Sequence, residues 1–436
     1  MQEKSFADLV ACLGNLLAPS LAVDWPNLPV SHASGTCVWG TDGRRYLDFV
    51  SGMATANLGH NHPRVVAAAK EQMEKLIHGP VGVLLYEPIL RLADELRAVM
   101  PGDLDMFFFG NSGAEAVEGA VKLARYVTGR PALIAFEGGF HGRTMGAASV
   151  TSSKSKYRLH YEPMLPGVYF APYPYCYRCP AGRQQGACSL ECLERLEGMF
   201  QHLVDPSQVA AILIEPVLGE GGYVVPPPGY LRGLRELCDR HGILLIFDEV
   251  QTGFGRTGAM FAAQAVGVNP DIMAVAKGIA SGFPLGATVA PSRLMKKWSP
   301  GAHGTTFGGN PVACAAALAT LAVMREEDLP GRARRLGDRA LARLRDLAAR
   351  HPQIGDVRGM GLMIGVEFVQ PGTGRPDGEL VTRVLKECLE RGLILYPCGT
   401  FNHVIRFIPP LTVSEEDLDT GLDTLAAAVA AATARA

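Results

Sequence analysis

Apolar residues fall in short continuous runs along the chain rather than in strict alternation. Runs at 106–109, 132–136, 209–214, 243–247, 272–276 and 287–290 are mostly separated by stretches with helical spacing. Strands this apolar are buried on both faces, so their alternation with helices predicts an α/β fold with a mostly parallel central sheet. Ahead of this block, 35–49 contains TCVWGTDGRRYLDF, two apolar segments around Thr41-Asp42-Gly43 that read as a β-hairpin. After Pro311 the pattern changes to long helices, strand candidates at 362–368 and 403–407, and a terminal helix, which together predict a smaller α+β region. The two ends are expected to combine into one small domain (1–60 and 319–436) around a large domain at 61–318. The Ala-rich stretch 425–436, with Asp423 just ahead of it and Thr433 and Arg435 within it, is too short and polar to span a bilayer and reads as a final surface helix.

Composition narrows the classes. With 41 Lys plus Arg against 43 Asp plus Glu and 48% apolar residues over 436 positions, most of the chain must fold, and no basic face offers itself to a nucleic acid. Six of the ten cysteines (Cys12, Cys37, Cys238, Cys314, Cys388 and Cys398) are scattered singly, as free thiols are in a reducing cytoplasm. The start MQEKSFADLV, with Glu3 and Asp8, lacks the basic and apolar regions of a secretory signal, so a cytoplasmic protein with no membrane partner is expected.

The chemistry lies at strand ends. Asp248 directly follows the run 243–247, where open α/β sheets keep their ligands; alone, it would read as a turn or cap. Twenty-nine residues on, Lys277 ends another apolar run between small residues, where a poorly solvated ammonium becomes a nucleophile; alone, it would read as an edge lysine with its head in water. An Asp and a Lys so placed resemble a pyridoxal 5'-phosphate site, in which the lysine binds the aldehyde as a Schiff base and the aspartate pairs with the ring nitrogen. FFFGNSGAEAVEGAVKLAR supplies a strand, a Gly/Ser turn and a helix start suited to a phosphate, with Ser112 also fit to cap that helix. Phe140 and His141, on the Gly-rich turn FEGGFHGRT, form an aromatic pair suited to stacking on a ring. In HGTTFGGNP, Asn310 and Pro311 start a helix and leave the hydroxyls of Thr305 and Thr306 free.

Taken in order, GNSGAEA, FHGRT, IEPVLGEGG, FDEVQTGFGRTG, AKGIASGFPLGA and TTFGGNP resemble the class III pyridoxal-phosphate aminotransferases, the group that includes 4-aminobutyrate, acetylornithine and ornithine aminotransferases. The resemblance runs from about Gly35 to about Ala430. It implies fold type I and a homodimer, or a dimer of dimers, with active sites shared between subunits. By position, Lys277 is then the Schiff-base lysine and general base, Asp248 holds the ring nitrogen and Gln251 reaches the ring hydroxyl. Ser112, Gly113 and Ala114 seat the phosphate, Phe140 and Val250 pack on the two ring faces, and Thr306 reaches the phosphate of the neighbouring subunit.

The same resemblance bears on substrates. Arg143 in FHGRT matches the arginine that meets the donor's distal carboxylate, and Arg406 in NHVIRFIPPLT matches the one that binds the α-carboxylate of a 2-oxo acid; either could instead serve a structural ion pair. Glu220 matches a switch glutamate that neutralises the Arg406 position when the donor lacks an α-carboxylate. Together they favour ping-pong transfer from a 4-aminobutyrate-like ω-amino donor to a 2-oxo acid such as 2-oxoglutarate or pyruvate. Two alternatives share the fold, namely an amino-acid racemase or epimerase, and a non-catalytic cofactor-binding regulator.

One segment departs from the pattern: Cys176, Cys179, Cys188 and Cys192 form a C-x2-C-x8-C-x3-C cluster in what reads as an insertion. Four thiolates could bind zinc, pair as disulfides or stay free, and no metal site is assigned to them. His60 and His62 in GHNHP read as a turn before a helix starting at Pro63.

Overall fold

In the computed structural model, which describes residues 5–21, 27–183 and 188–434, the apolar runs become the strands of one seven-stranded sheet. Glu3 and Arg435 lie outside the described residues. Across the sheet the order is Met106–Gly110, Gly286–Ala290, Ile272–Val275, Leu244–Asp248, Val209–Ile214, Ala132–Phe136 and Val168–Ala171. Only Gly286–Ala290 runs against its neighbours. The other six strands therefore end at one edge, and the loops that follow them converge there.

Alternate residues of each strand feed two separate cores, which is why the runs are apolar throughout. Leu133 and Ala135 join one core, with Leu213 and Ile246. Ala132, Ile134 and Phe136 join the other, with Ile212 and Phe247. The helix Gly113–Thr128 lies on the first face and buries Ala116, Val117, Ala120, Val121 and Ala124. It approaches so closely that a Cβ at Gly119 would sit 2.2 Å from Thr288 Oγ1, which itself donates to the Ala116 carbonyl at 2.8 Å.

The hairpin forms as read, with Cys37–Gly40 antiparallel to Arg45–Asp48, and the helix Pro63–Lys75 starts at the expected proline. The short strand Leu393–Ile394 pairs in parallel with Arg45–Asp48, so the two ends of the chain share a sheet. A third sheet, wholly C-terminal, orders Ile354–Met360, Met363–Phe368, Val404–Phe407 and Tyr396–Cys398 as antiparallel strands. The helix Glu415–Ala434 buries Leu418, Leu422, Leu425 and Val429, while Asp419 and Asp423 pair with Arg343 outside.

Arg256 ties these parts together. Fully buried, it donates to the carbonyls of Leu362 (3.2 Å) and Pro409 (2.6 Å) and to Asn57 Oδ1 (2.7 Å). Burial without a facing carboxylate pulls its guanidinium down to about 10. Among the described residues, no helix is long and apolar enough to cross a membrane.

Glu249 shows what such burial does to an acid. Its carboxylate accepts from Ala262 N (2.8 Å), Ala263 N (2.7 Å) and the Thr252 hydroxyl (2.7 Å), yet full burial pushes its carboxyl from 4.5 up to about 7. The folded state thus holds this proton more tightly than the unfolded chain. The resulting stabilisation is complete below the unfolded pKa and is lost as pH rises through about 7. Glu249→Gln removes this titration, so the melting-temperature difference between the variant and the wild type is expected to move in favour of the variant between about pH 4.5 and about pH 8. Parallel melting curves across that range would exclude the assignment.

Candidate active site

The loops at the common strand edge enclose a cavity of about 290 Å³. Asp248, the last residue of its strand, stands in its wall, with Val250 N donating to Asp248 Oδ1 at 3.0 Å. Its other oxygen meets His141 Nδ1 at 2.7 Å, and both side chains are almost wholly enclosed. Burial alone would lower the His141 imidazole, but the hydrogen bond and charge of Asp248, with Glu215 beyond, more than offset it, and the net shift is upward. His141 is thus a partner of Asp248, and both it and Phe140 line the cavity. Phe140 also meets Tyr157 edge to face at 5.5 Å.

Lys277 follows the strand Ile272–Val275 by two residues and occupies left-handed backbone, φ 48°. Such a conformation costs a non-glycine residue about 1–3 kcal/mol and persists where the surroundings enforce it. The accessible part of its side chain faces the cavity, while packing on the other sides removes bulk water. Burial lowers its ammonium to about 8; Asp248 and Glu215 oppose that shift, and Arg406 adds to it. No hydrogen bond or ion pair holds the ammonium among the described residues.

Ser112 caps the helix Gly113–Thr128, its Oγ accepting from Glu115 N at 3.2 Å. Ser112, Gly113 and Ala114 line the cavity at that helix's positive end. The fit is close, since a Cβ at Gly113 would stand 2.7 Å from Val250 Cγ1. Gln251 reaches the same cavity with its buried Oε1 unpartnered.

Glu215 was missed in the sequence, although it follows the run 209–214 as directly as Asp248 follows 243–247. It lines the cavity, accepts from Phe140 N and Gly219 N (both 3.2 Å), and is pushed upward by burial. Through these two hydrogen bonds it fixes two loops at the cavity.

Glu220 joins the cavity to Arg406, which lies on the strand Val404–Phe407. Glu220 Oε2 accepts from Arg406 at 2.5 Å, and Arg406 also donates to the Pro397 carbonyl at 2.8 Å. Tyr223 and Tyr396 flank the guanidinium. Burial works against the charge of Glu220, but Arg406 and Lys154 hold its carboxyl below the ordinary range. Arg143 is exposed and outside the cavity wall, stacked over Tyr157 (4.3 Å) and the wall residue Phe140 (5.6 Å). Thr306 is exposed and outside the cavity wall of its own chain.

All ten cysteines are unpaired; of the clustered four, Cys188 is exposed, Cys192 is buried, and Cys176 and Cys179 lie between. Among the described residues no three His, Cys, Asp or Glu side chains converge as metal ligands.

Comparison with known proteins agrees over nearly the whole chain. The sequence model of the family described as aminotransferase class-III matches residues 20–429. The chain is 43% identical to the 5-aminovalerate aminotransferase of Pseudomonas aeruginosa, over 91% of its length and 92% of that protein. It is 41% identical to the 4-aminobutyrate aminotransferase of Escherichia coli, over 90% of its length and 91% of that protein. Among solved structures, the taurine:2-oxoglutarate aminotransferase of Bifidobacterium kashiwanohense, in complex with PLP and glutamate, superposes with a TM-score of 0.90 at 30% identity, covering 99% of this chain and 98% of that one.

Proposed function

From the premise that this chain belongs to the class-III aminotransferases, we propose that it is a pyridoxal-phosphate enzyme that moves the amino group of an ω-amino acid to a 2-oxo acid. The cavity residues fit that cofactor. Lys277, with its lowered ammonium, would hold the aldehyde carbon, Asp248 the ring nitrogen, and the Ser112 to Ala114 backbone the phosphate. The free Gln251 Oε1 offers an acceptor for the ring hydroxyl, and Phe140 and Val250 offer apolar faces. When bound, the cofactor supplies an electron sink for the C–H bond next to the transferring nitrogen.

The residues of the chain do the rest. Lys277 sheds its proton readily and serves as the base that removes and returns the proton at the donor carbon. Asp248, fixed by His141, presents its carboxyl group at the inner wall, where the ring nitrogen would lie. Arg143, stacked over Phe140, offers a planar fork to the donor's distal carboxylate.

The observation that carries the ω-amino reading is the Glu220–Arg406 pair. A buried arginine whose charge is balanced by a carboxylate can accept a donor that lacks an α-carboxylate, and can receive the 2-oxo acid once that carboxylate moves. A racemase, which returns the proton to the same carbon, has no need for this alternation.

Support for a homodimer comes from apolar residues left in water beside Thr306. Ile77, Val83, Leu85 and Phe307 are 61%, 79%, 72% and 58% exposed, a concentration that marks an interface. His78 and Phe307 are in ring contact at 4.7 Å, so the segments around Ile77 and Phe307 lie side by side, and from there Thr306 would reach the partner's site. The six singly scattered cysteines support the cytoplasm as the compartment.

The test is a half-reaction. Holoenzyme mixed with 4-aminobutyrate and no acceptor is expected to release a stoichiometric amount of succinic semialdehyde and then stop. No release, together with exchange of an amino acid's α-proton in heavy water without loss of its amino group, would assign the racemase instead.

A further inference from the structure

Glu220 has two cations within reach, and only one of them belongs to the arrangement described so far. Its Oε2 is on Arg406, while its Oε1 accepts from Lys154 Nζ at 3.0 Å and from the Tyr157 hydroxyl at 3.3 Å. Lys154 is fixed independently of Arg406. Its ammonium also donates to Asn402 Oδ1 at 2.7 Å, and its side chain is only 10% exposed. Asn402 N donates to the Gly399 carbonyl at 3.0 Å, and Gly399 N donates to the Glu220 carbonyl at 2.8 Å, so the loop that orients Asn402 also holds the backbone of Glu220. Asn402 itself sits in left-handed backbone, φ 54°.

Two cations and one carboxylate leave this enclosed cluster one negative charge short. A second carboxylate, brought to Arg406, balances it, provided that Glu220 keeps a partner after giving up the guanidinium. Lys154 is that partner, and a carboxylate that breaks one of two ion pairs moves far more easily than one that would be stranded in a buried site.

Building on the proposed ω-amino function, we propose that Lys154 is a specificity-determining positioning residue that retains Glu220 while the α-carboxylate of the 2-oxo acid occupies Arg406. Without it, Arg406 is the one cation left to Glu220 among the described residues, and Glu220 competes with the acceptor for it.

The test separates the two half-reactions in purified holoenzyme. Lys154→Met is expected to raise the KM for 2-oxoglutarate by at least about tenfold while the 4-aminobutyrate half-reaction falls by less than about threefold. Glutarate binding to the holoenzyme, read by calorimetry, weakens by a similar factor, and Lys154→Arg, which keeps the charge, recovers most of the loss. In a Glu220→Gln background no carboxylate remains to be stranded, so adding Lys154→Met no longer weakens the acceptor. Equal losses in both half-reactions, or an acceptor loss that persists with Gln at 220, overturns the role of Lys154. The calorimetric arm needs no turnover, so it judges Lys154 even if 4-aminobutyrate releases no semialdehyde and the ω-amino reading itself fails.

Discussion

Lys277→Ala is expected to abolish covalent retention of pyridoxal phosphate and to lower turnover by at least about a thousandfold. Among the described residues no second amine stands ready to take its place: the ammonium of Lys154 is committed to Glu220 and Asn402. The position is built for this residue. Its backbone is held in left-handed conformation, its ammonium is drawn down to about 8, and no ion pair competes for its nitrogen among the described residues. Borohydride treatment followed by peptide mass analysis should fix one pyridoxyl group on Lys277 in the wild type and none in the variant. The phosphate and ring contacts remain, so the variant should still bind the cofactor weakly and release it on gel filtration. A variant that kept a covalent yellow chromophore and turned over would show that the site has been assigned to the wrong lysine.

Much of that site could be read from the chain because buried parallel strands write themselves as continuous apolar runs, and whatever follows each run lands at one edge. Asp248, Lys277 and the Ser112 turn were found in that way. Glu215 obeys the same rule and was passed over because an acid before a proline also reads as an ordinary loop. The edge strand Val168–Ala171 was passed over for a different reason: its run VYFA is four residues long, only partly buried and set between Pro166-Gly167 and Pro172, so it also reads as part of a loop. The two-residue strand Leu393–Ile394 owes its existence to its partner Arg45–Asp48 and not to its own pattern. Pairings across distant segments, such as His141 with Asp248 and Lys154 with Asn402, span 107 and 248 positions and leave no periodic trace. Thr306 belongs with these, since its proposed target lies on another subunit and its own chain leaves it exposed.

Arg406→Ala should divide the two half-reactions more sharply than any other substitution at the site. In the wild type, the guanidinium is enclosed, aligned by the Pro397 carbonyl and two tyrosine rings, and neutralised by Glu220. For the 2-oxo acid it would, on the proposed reading, supply a two-pronged contact in a poorly hydrated site, an interaction whose loss costs about 2–5 kcal/mol, or roughly thirty- to several-thousandfold in affinity. For the ω-amino donor it supplies nothing directly. The same substitution leaves Glu220 on Lys154, so the donor loses only the shape of that wall. The 2-oxoglutarate half-reaction is therefore expected to slow at least about a hundredfold more than the 4-aminobutyrate half-reaction, measured as second-order constants in single-turnover mixing. Equal slowing would remove the basis of the switch, because it would mean that Arg406 acts on both substrates alike or only holds the strand Val404–Phe407 in place. A donor half-reaction that slowed more than the acceptor's would reverse the assignment and hand the α-carboxylate to Arg143.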